Sequence, residues 1–301
     1  MKFRRIRAQD GLHTQWWDDG QWKALSGPAP LAPSVFRPDW ELATADRHLQ
    51  QSDAVLPFTP LSFRDFLLSE EHNVAAARGM LERFYPASSR ITEAFETVTH
   101  RTFPAFRPKK LFYRQPIYYM SNAMTIVPTR TPVKFPSYSR GLDFELEIGF
   151  VLDKPLLDAD PAEATAAIGA FVLLNDFSAR DIQRDEMSSG LGPQKSKHFL
   201  SSMSETAVTA DEVLPRLEQL TGSVIINGHT VSTVRAAGLQ WSVGEVLAHA
   251  SKDEQLLPGE VFGLGTLAGG SGMETGTWLR PGDTLRLVLD DVGEVEHVIG
   301  K

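Results

Sequence analysis

The sequence predicts a mainly β fold with minor helices, of the α+β kind, and three observations carry that expectation. From about residue 110 onward, stretches rich in β-branched and aromatic residues recur: IYYMSNAMTIVP, LDFELEIGFVL, AIGAFVLLND, GSVIINGHTVSTV, EVFGLGTLAGG and DTLRLVLDDVGEVEHVI. Short hairpin signals, Asp19-Gly20 and Asn227-Gly228, sit between such runs. Helical periodicity is confined to a few segments.

Taken in order, HTQWWDDGQWKAL places its Asp-Gly turn between aromatic-rich runs, so residues 1 to about 40 read as short strands and turns. Pro28, Pro30, Pro33 and Pro38 follow and suggest a linker or irregular loop. FRDFLLSEEHNVAAARGMLERF, from Phe63, reads as helical, with apolar positions at spacings of three to four and an Ala-rich continuation. Three further helical patches are expected over residues 161–168, 179–185 and 242–250. The last opens on a Ser N-cap with Glu three residues on.

The chain has 301 residues, which suggests one large domain plus a small accessory one. Hydrophobic residues make up 42% and charged residues 23%, as in an ordinary globular protein. A net charge of −8 argues against nucleic acid, because phosphate binding needs a basic face. The absence of cysteine excludes disulfides, thiolate zinc sites and cysteine nucleophiles. The basic start MKFRRIRAQDG is followed by no apolar signal region, and no run approaches a membrane span. A soluble protein of the cytoplasm, with no nucleic-acid or membrane partner, is the expectation.

The chemistry concentrates in acids. In LDFELEIGFVL, Leu142, Phe144, Leu146 and Ile148 alternate with Asp143, Glu145 and Glu147, so the three acids share one strand face at intervals of roughly 7 Å. A solvated edge strand would show the same alternation. Two features favour a buried site: the strand runs on into apolar Gly149–Leu152, and AFVLLND ends in its own acid, Asp176. Convergent carboxylates without His or Cys suit a hard cation such as Mg²⁺ or Ca²⁺ rather than zinc. After Asp176, a helix starting near Ser178 would turn Asp176, Arg180 and Gln183 the same way, a grip on a carboxylated or keto substrate. Taken alone, the same residues read as a helix cap and a surface ion pair. Lys197 follows a Gly/Pro loop and is either solvated or a cationic wall opposite the metal.

Read together, LDFELEIGFVL, LLNDFSARDIQ, KSKHF and GLGTLAGGSGMETG resemble the fumarylacetoacetate hydrolase family in order and spacing across roughly residues 60–300. NDFSARDIQ is the specific part of the match. The resemblance implies a mixed β-sandwich roll over residues 61–301 as the catalytic domain, preceded over residues 1–60 by a small N-terminal β domain and linker. It implies a Mg²⁺ or Ca²⁺ site, with Mn²⁺ as an alternative, whose ligands match Asp65, Glu145, Glu147 and Asp176. RDFLLSEEH supplies Asp65 and, seven residues on, His72 as the water-activating base. On its own, His72 reads as a surface helix residue beside Glu70 and Glu71. Glu274 matches the partner of that His, Lys197 an oxyanion-stabilising cation, and Arg180, Gln183, Tyr119 and Thr266 match substrate-contacting positions. Leu67 departs from the pattern, standing where longer members often carry a substrate-contacting Tyr.

The implied reaction is hydrolysis of a carbon–carbon bond in an acylpyruvate or other 1,3-diketo acid by His-activated water, in a homodimer. Oxaloacetate decarboxylation, isomerisation or hydration of a 2-oxo acid, and a catalytically silent metal-binding dimer are the alternatives.

Overall fold

The computed structural model describes residues 1–27, 30–31 and 53–301. Pro28, Pro33 and Pro38 of the expected linker lie outside the described residues. Strands in chain order are β1 (Lys2–Ala8), β2 (Gly11–Asp18), β3 (Gln21–Ala24), β4 (Ser62–Phe66), β5 (Tyr118–Ser121), β6 (Ile126–Pro128), β7 (Val133–Lys134), β8 (Leu142–Asp143) and β9 (Glu145–Leu152). They continue with β10 (Ile168–Asn175), β11 (Ser178–Ala179), β12 (Ser201–Met203), β13 (Thr206–Thr209), β14 (Thr221–Ile226), β15 (His229–Arg235), β16 (Glu260–Ser271), β17 (Thr284–Leu289) and β18 (Gly293–Gly300). The α-helices are α1 (Glu70–Phe84), α2 (Pro86–Thr99), α3 (Pro161–Thr165), α4 (Arg180–Ser189), α5 (Ala210–Val213), α6 (Val243–Ala250) and α7 (Gly272–Thr275). The mainly β expectation holds.

A large mixed sheet runs in the order β3-β2-β1-β13-β10-β9-β16-β4-β5, with β12 pairing both β10 and β6. A five-stranded sheet, β15-β14-β17-β18-β7, packs on one of its faces. Strand alternation decides which side chains meet there. Leu142, Phe144, Leu146 and Ile148 join Leu285, Leu287 and Val295 in the core between the sheets, where Phe150 stacks on Phe262 with ring centroids 5.3 Å apart. The opposite face of β9 carries Glu145, Glu147 and then Val151, which packs with Phe3, Phe63 and Val172 in a second core. Strand β9 lies between β10 and β16 and is buried along its whole length, so the solvated-edge reading fails. The expected hairpin at Asn227-Gly228 forms, both residues at positive φ (52° and 79°).

Two sequence expectations need correction. The segment from Phe63 is not helical throughout. Its first residues form β4, which pairs in parallel with β16 and antiparallel with β5. Both partners come from distant sequence, and their pairing outweighs the local periodicity. The helix begins only after Ser69, whose Oγ accepts from the His72 amide at 3.0 Å and caps a first turn rich in acid, Glu70 and Glu71. Helix α2, opened by Pro86 in its first turn, was not among the expected helices. Near residue 178 the helix also starts late. Ser178 and Ala179 pair with β8 before α4 begins at Arg180. Helix α6 opens on the expected capping box of Ser242 and Glu245.

Candidate active site

Three strands of the large sheet, β10, β9 and, across β16, β4, bring three acids to one point. Asp65 comes from β4, Glu147 from β9, and Asp176 from the residue after β10. One oxygen from each lies within 4.8 Å of the others, and all three residues are buried. Asp65 Oδ1 and Glu147 Oε2 are buried without a hydrogen-bond partner. The hole they face is kept open by Gly263, which pairs with Asp65 across β16 and β4. A Cβ there would stand 2.6 Å from Asp65 Oδ1 and 2.9 Å from Glu147 Oε2.

Burial, with Asp176 close by, pushes the Asp65 carboxyl up to about 8, and burial beside Asp65 and Glu145 raises Glu147 well above the carboxylate range. Bare carboxylates resist sharing such a site. A divalent cation would remove that resistance and occupy the orphaned oxygens, and the all-oxygen donor set suits a hard ion. The residues present therefore fit the metal that the sequence implies.

Glu145, the fourth carboxylate expected at the metal, is engaged elsewhere. Its Oε1 lies 2.8 Å from Arg180 Nη2, and its Oε2 accepts from Lys197 Nζ. Burial would raise its carboxyl, but Arg180 and Lys197 outweigh that and hold it down at about 2. Lys197 also donates to Asp176 Oδ2 at 2.7 Å. Burial works against its charge, yet Asp176 and Glu145 raise its pKa, so the ammonium persists. Tyr119, on β5, donates its hydroxyl to the same Asp176 oxygen. Burial and the nearby acids keep it a phenol. Thr266 donates to Glu147 Oε1 at 3.3 Å. Gln183 accepts from Arg180 Nη1 at 2.9 Å, one turn along α4.

Opposite the acids stands His72, buried in the first turn of α1. Its Nδ1 lies 3.0 Å from Glu274 Oε2, within ion-pair range although off the angle of a good hydrogen bond. Glu274 is pinned by the end of β16. Oε2 accepts from the Ser271 amide (3.1 Å) and hydroxyl (2.8 Å), and Oε1 from the Gly269 amide at 3.0 Å. The approach of α1 to α7 depends on Gly79, where a Cβ would sit 1.8 Å from the Met273 carbonyl oxygen. All eleven expected site residues except Asp176 and Glu274 line one cavity of about 550 Å³, and those two contact lining residues directly.

Sequence reasoning passed over three contributors. Asp143 shares the strand face of Glu145 and Glu147 but turns to scaffolding. It accepts from Arg180 Nε (2.8 Å) and from the amides of Phe144 (2.8 Å), Gly272 (2.8 Å) and Met273 (3.0 Å). One buried carboxylate thus anchors both Arg180 and the helix that carries Glu274. Ser201 donates to Asp176 Oδ1 at 3.0 Å. Gly263 supplies space, and the glycine-dense GLGTLAGG run was its only visible signal.

Residues 94–300 match the family described as fumarylacetoacetate (FAA) hydrolase, C-terminal. The chain belongs to the fumarylacetoacetate hydrolase family. It is 26% identical over 155 residues to the human mitochondrial oxaloacetate tautomerase, covering 52% of this chain and 70% of that protein. The fold matches a Mycobacterium smegmatis 5-carboxymethyl-2-hydroxymuconate delta-isomerase (TM-score 0.67, 17% identity, 100% of this chain and 98% of that one). It also matches a Pseudomonas aeruginosa fumarylpyruvate hydrolase in complex with Mn²⁺ and pyruvate (TM-score 0.60, 17% identity, 84% and 94%). The proteins named in these matches are enzymes: a tautomerase, an isomerase and a hydrolase. Among the described residues no helix is long and apolar enough to cross a membrane.

Proposed function

We propose that this protein is a divalent-metal hydrolase that cleaves a carbon–carbon bond in an acylpyruvate or related 1,3-diketo acid. The observation that carries the reading is the His72–Glu274 contact at 3.0 Å, which brings a base to the same cavity as the acid cluster. Asp65, Glu147 and Asp176 would hold Mg²⁺, Ca²⁺ or Mn²⁺, with Glu145 close by. The bound ion supplies Lewis acidity and a template for the oxo-acid end of the substrate.

The residues of the chain account for the proton. With Nδ1 turned to Glu274, His72 offers Nε2 to take a proton from water, and the Glu274 carboxylate stabilises the imidazolium that forms. Hydroxide adds to the acyl carbonyl. Lys197, Arg180 and Gln183 stabilise the negative oxygen that develops. Collapse releases the acyl group as a carboxylic acid. The leaving carbon keeps the bonding pair, and the His72 proton returns to it, giving pyruvate. No covalent enzyme intermediate is needed. Tyr119 and Ser201 hold Asp176 in place, and Thr266 holds Glu147. A homodimer acting on a small keto acid in the cytoplasm completes the proposal.

The test is a screen of acylpyruvates, fumarylacetoacetate and oxaloacetate with each metal, following enol absorbance and products. Pyruvate plus a free acid is expected. Pyruvate plus CO₂ from oxaloacetate, with acylpyruvates untouched, would replace the hydrolase with a decarboxylase. Enol–keto exchange alone would make the chain a tautomerase, as its human relative is named. His72→Ala is expected to lose hydrolysis while metal binding, read by calorimetry, survives. Unchanged hydrolysis would remove His72 from the mechanism.

A further inference from the structure

Two helices start at the polar end of the cavity and carry its lining away from it. On α1 the lining residues His72, Ala76 and Met80 recur every four residues, one face of a helix, with Asn73 and Ala77 beside them. At 1.5 Å of rise per residue, Met80 lies about 12 Å along the axis from His72. On α4 the lining residues are Arg180, Gln183, Arg184 and Met187, again one face, with Met187 about 10 Å along from Arg180. Both stripes begin in acid–base and ionic groups and end in methionine. Leu67 and Pro193 add further apolar wall.

Two of the three Arg and Lys side chains of the lining are held by buried acids. Arg180 is bound by Asp143 and Glu145, and Lys197 by Glu145 and Asp176. Arg184 donates to Asp185 at 2.8 Å and lies over the Phe84 ring at 5.2 Å. A carboxylate in this corridor would leave water with only the exposed Arg184–Asp185 pair near it, whereas an alkyl chain would gain by leaving water.

We infer that the substrate carries an apolar alkyl or aryl tail, several carbons long, on the side away from its oxo-acid end, rather than a second carboxylate. This rests on the proposed function for the position of the oxo-acid end. It disfavours fumaryl-type acyl groups. Methionine at both far ends suits tails of varied shape, since its unbranched thioether adapts to what it packs against.

Calorimetry in the presence of Mg²⁺ tests the tail without requiring turnover. The ligands are pyruvate, 2-oxobutanoate, 2-oxohexanoate and 2-oxoadipate, none of them cleavable by the proposed reaction. Affinity is expected to rise roughly fourfold per added methylene. 2-Oxoadipate, the six-carbon acid with a carboxylate at its end, is expected to bind at least tenfold more weakly than 2-oxohexanoate. Met80→Lys should reverse that order. Equal or tighter binding of 2-oxoadipate, or affinity indifferent to chain length, overturns the inference. Loss of 2-oxoadipate binding in Arg184→Ala would name the cation responsible. The proposed function is read separately from cleavage of acetylpyruvate and hexanoylpyruvate. Tail-dependent binding without cleavage sinks the hydrolase and keeps the tail. Cleavage of both at equal kcat/KM, with flat binding, does the opposite. Binding of no oxo acid sinks both.

Discussion

Acidification is expected to weaken this protein through one side chain far along the sequence from the acid cluster. His297, on β18, is buried, with Nδ1 2.7 Å from the Thr131 carbonyl oxygen and Nε2 2.9 Å from Ser202 Oγ. A carbonyl only accepts, so Nδ1 carries the hydrogen and the bare Nε2 accepts from the serine hydroxyl. Burial pushes the imidazole down to about 4, with the Thr131 carbonyl opposing more weakly, against about 6.5 in an unfolded chain. The native state therefore resists a proton that the unfolded state takes. The stabilisation is complete above pH 6.5 and drains away as pH falls towards 4. The full interval is worth roughly 3 kcal/mol, of which about 2 kcal/mol is lost between pH 7.5 and pH 5. The assay is urea unfolding of the wild type and His297→Gln at both pH values. Glutamine is neutral throughout, and every other titrating group is common to both chains. The difference in their stabilities should shrink by about 2 kcal/mol at pH 5. Parallel curves would refute the assignment of a buried, uncharged His297.

Further expectations follow from the same geometry. Gly263→Ala should lower Mg²⁺ affinity at least tenfold by calorimetry, with the circular dichroism spectrum retained, because its methyl meets Asp65 and Glu147 oxygens. Unchanged affinity would place the metal elsewhere. Asp143→Asn should cost about 3 kcal/mol in urea unfolding, since it leaves buried Arg180 short of charge. A neutral result would make the pair dispensable. Phe150→Ala removes a ring stacked on Phe262 in the core between the sheets and should cost about 3–5 kcal/mol, read from the same transition.

How far the site was legible depended on whether a residue's partners were local. The two-residue rhythm of β9 sorts its side chains onto opposite faces, and the structure places Leu146 and Ile148 in one core and Glu145 and Glu147 on the other side. The Asn227-Gly228 turn and the Ser242 cap were visible because their hydrogen bonds close within a few residues. Strand β4 was hidden because nothing in SFRDF separates it from the helix that follows. Its pairing to Gly263 and Tyr119 is what makes it a strand. Asp143 and Glu145 look alike in sequence, yet Arg180 reaches both and draws both acids into ion pairs. Such competition between cations for buried acids is decided in three dimensions only.

Gly79 has a wider consequence. Because α1 meets the Met273 backbone there with no side chain between them, the helix lies as close to that wall of the cavity as two backbones allow. It reads as a ruler, with His72 at the zero mark and positions 76, 77 and 80 as graduations. On the proposed function, substitutions at those marks would retune which acyl groups are accepted while the point of attack stays where it is. A lineage or a designer could therefore vary the diet of this enzyme one helical turn at a time without re-solving its chemistry.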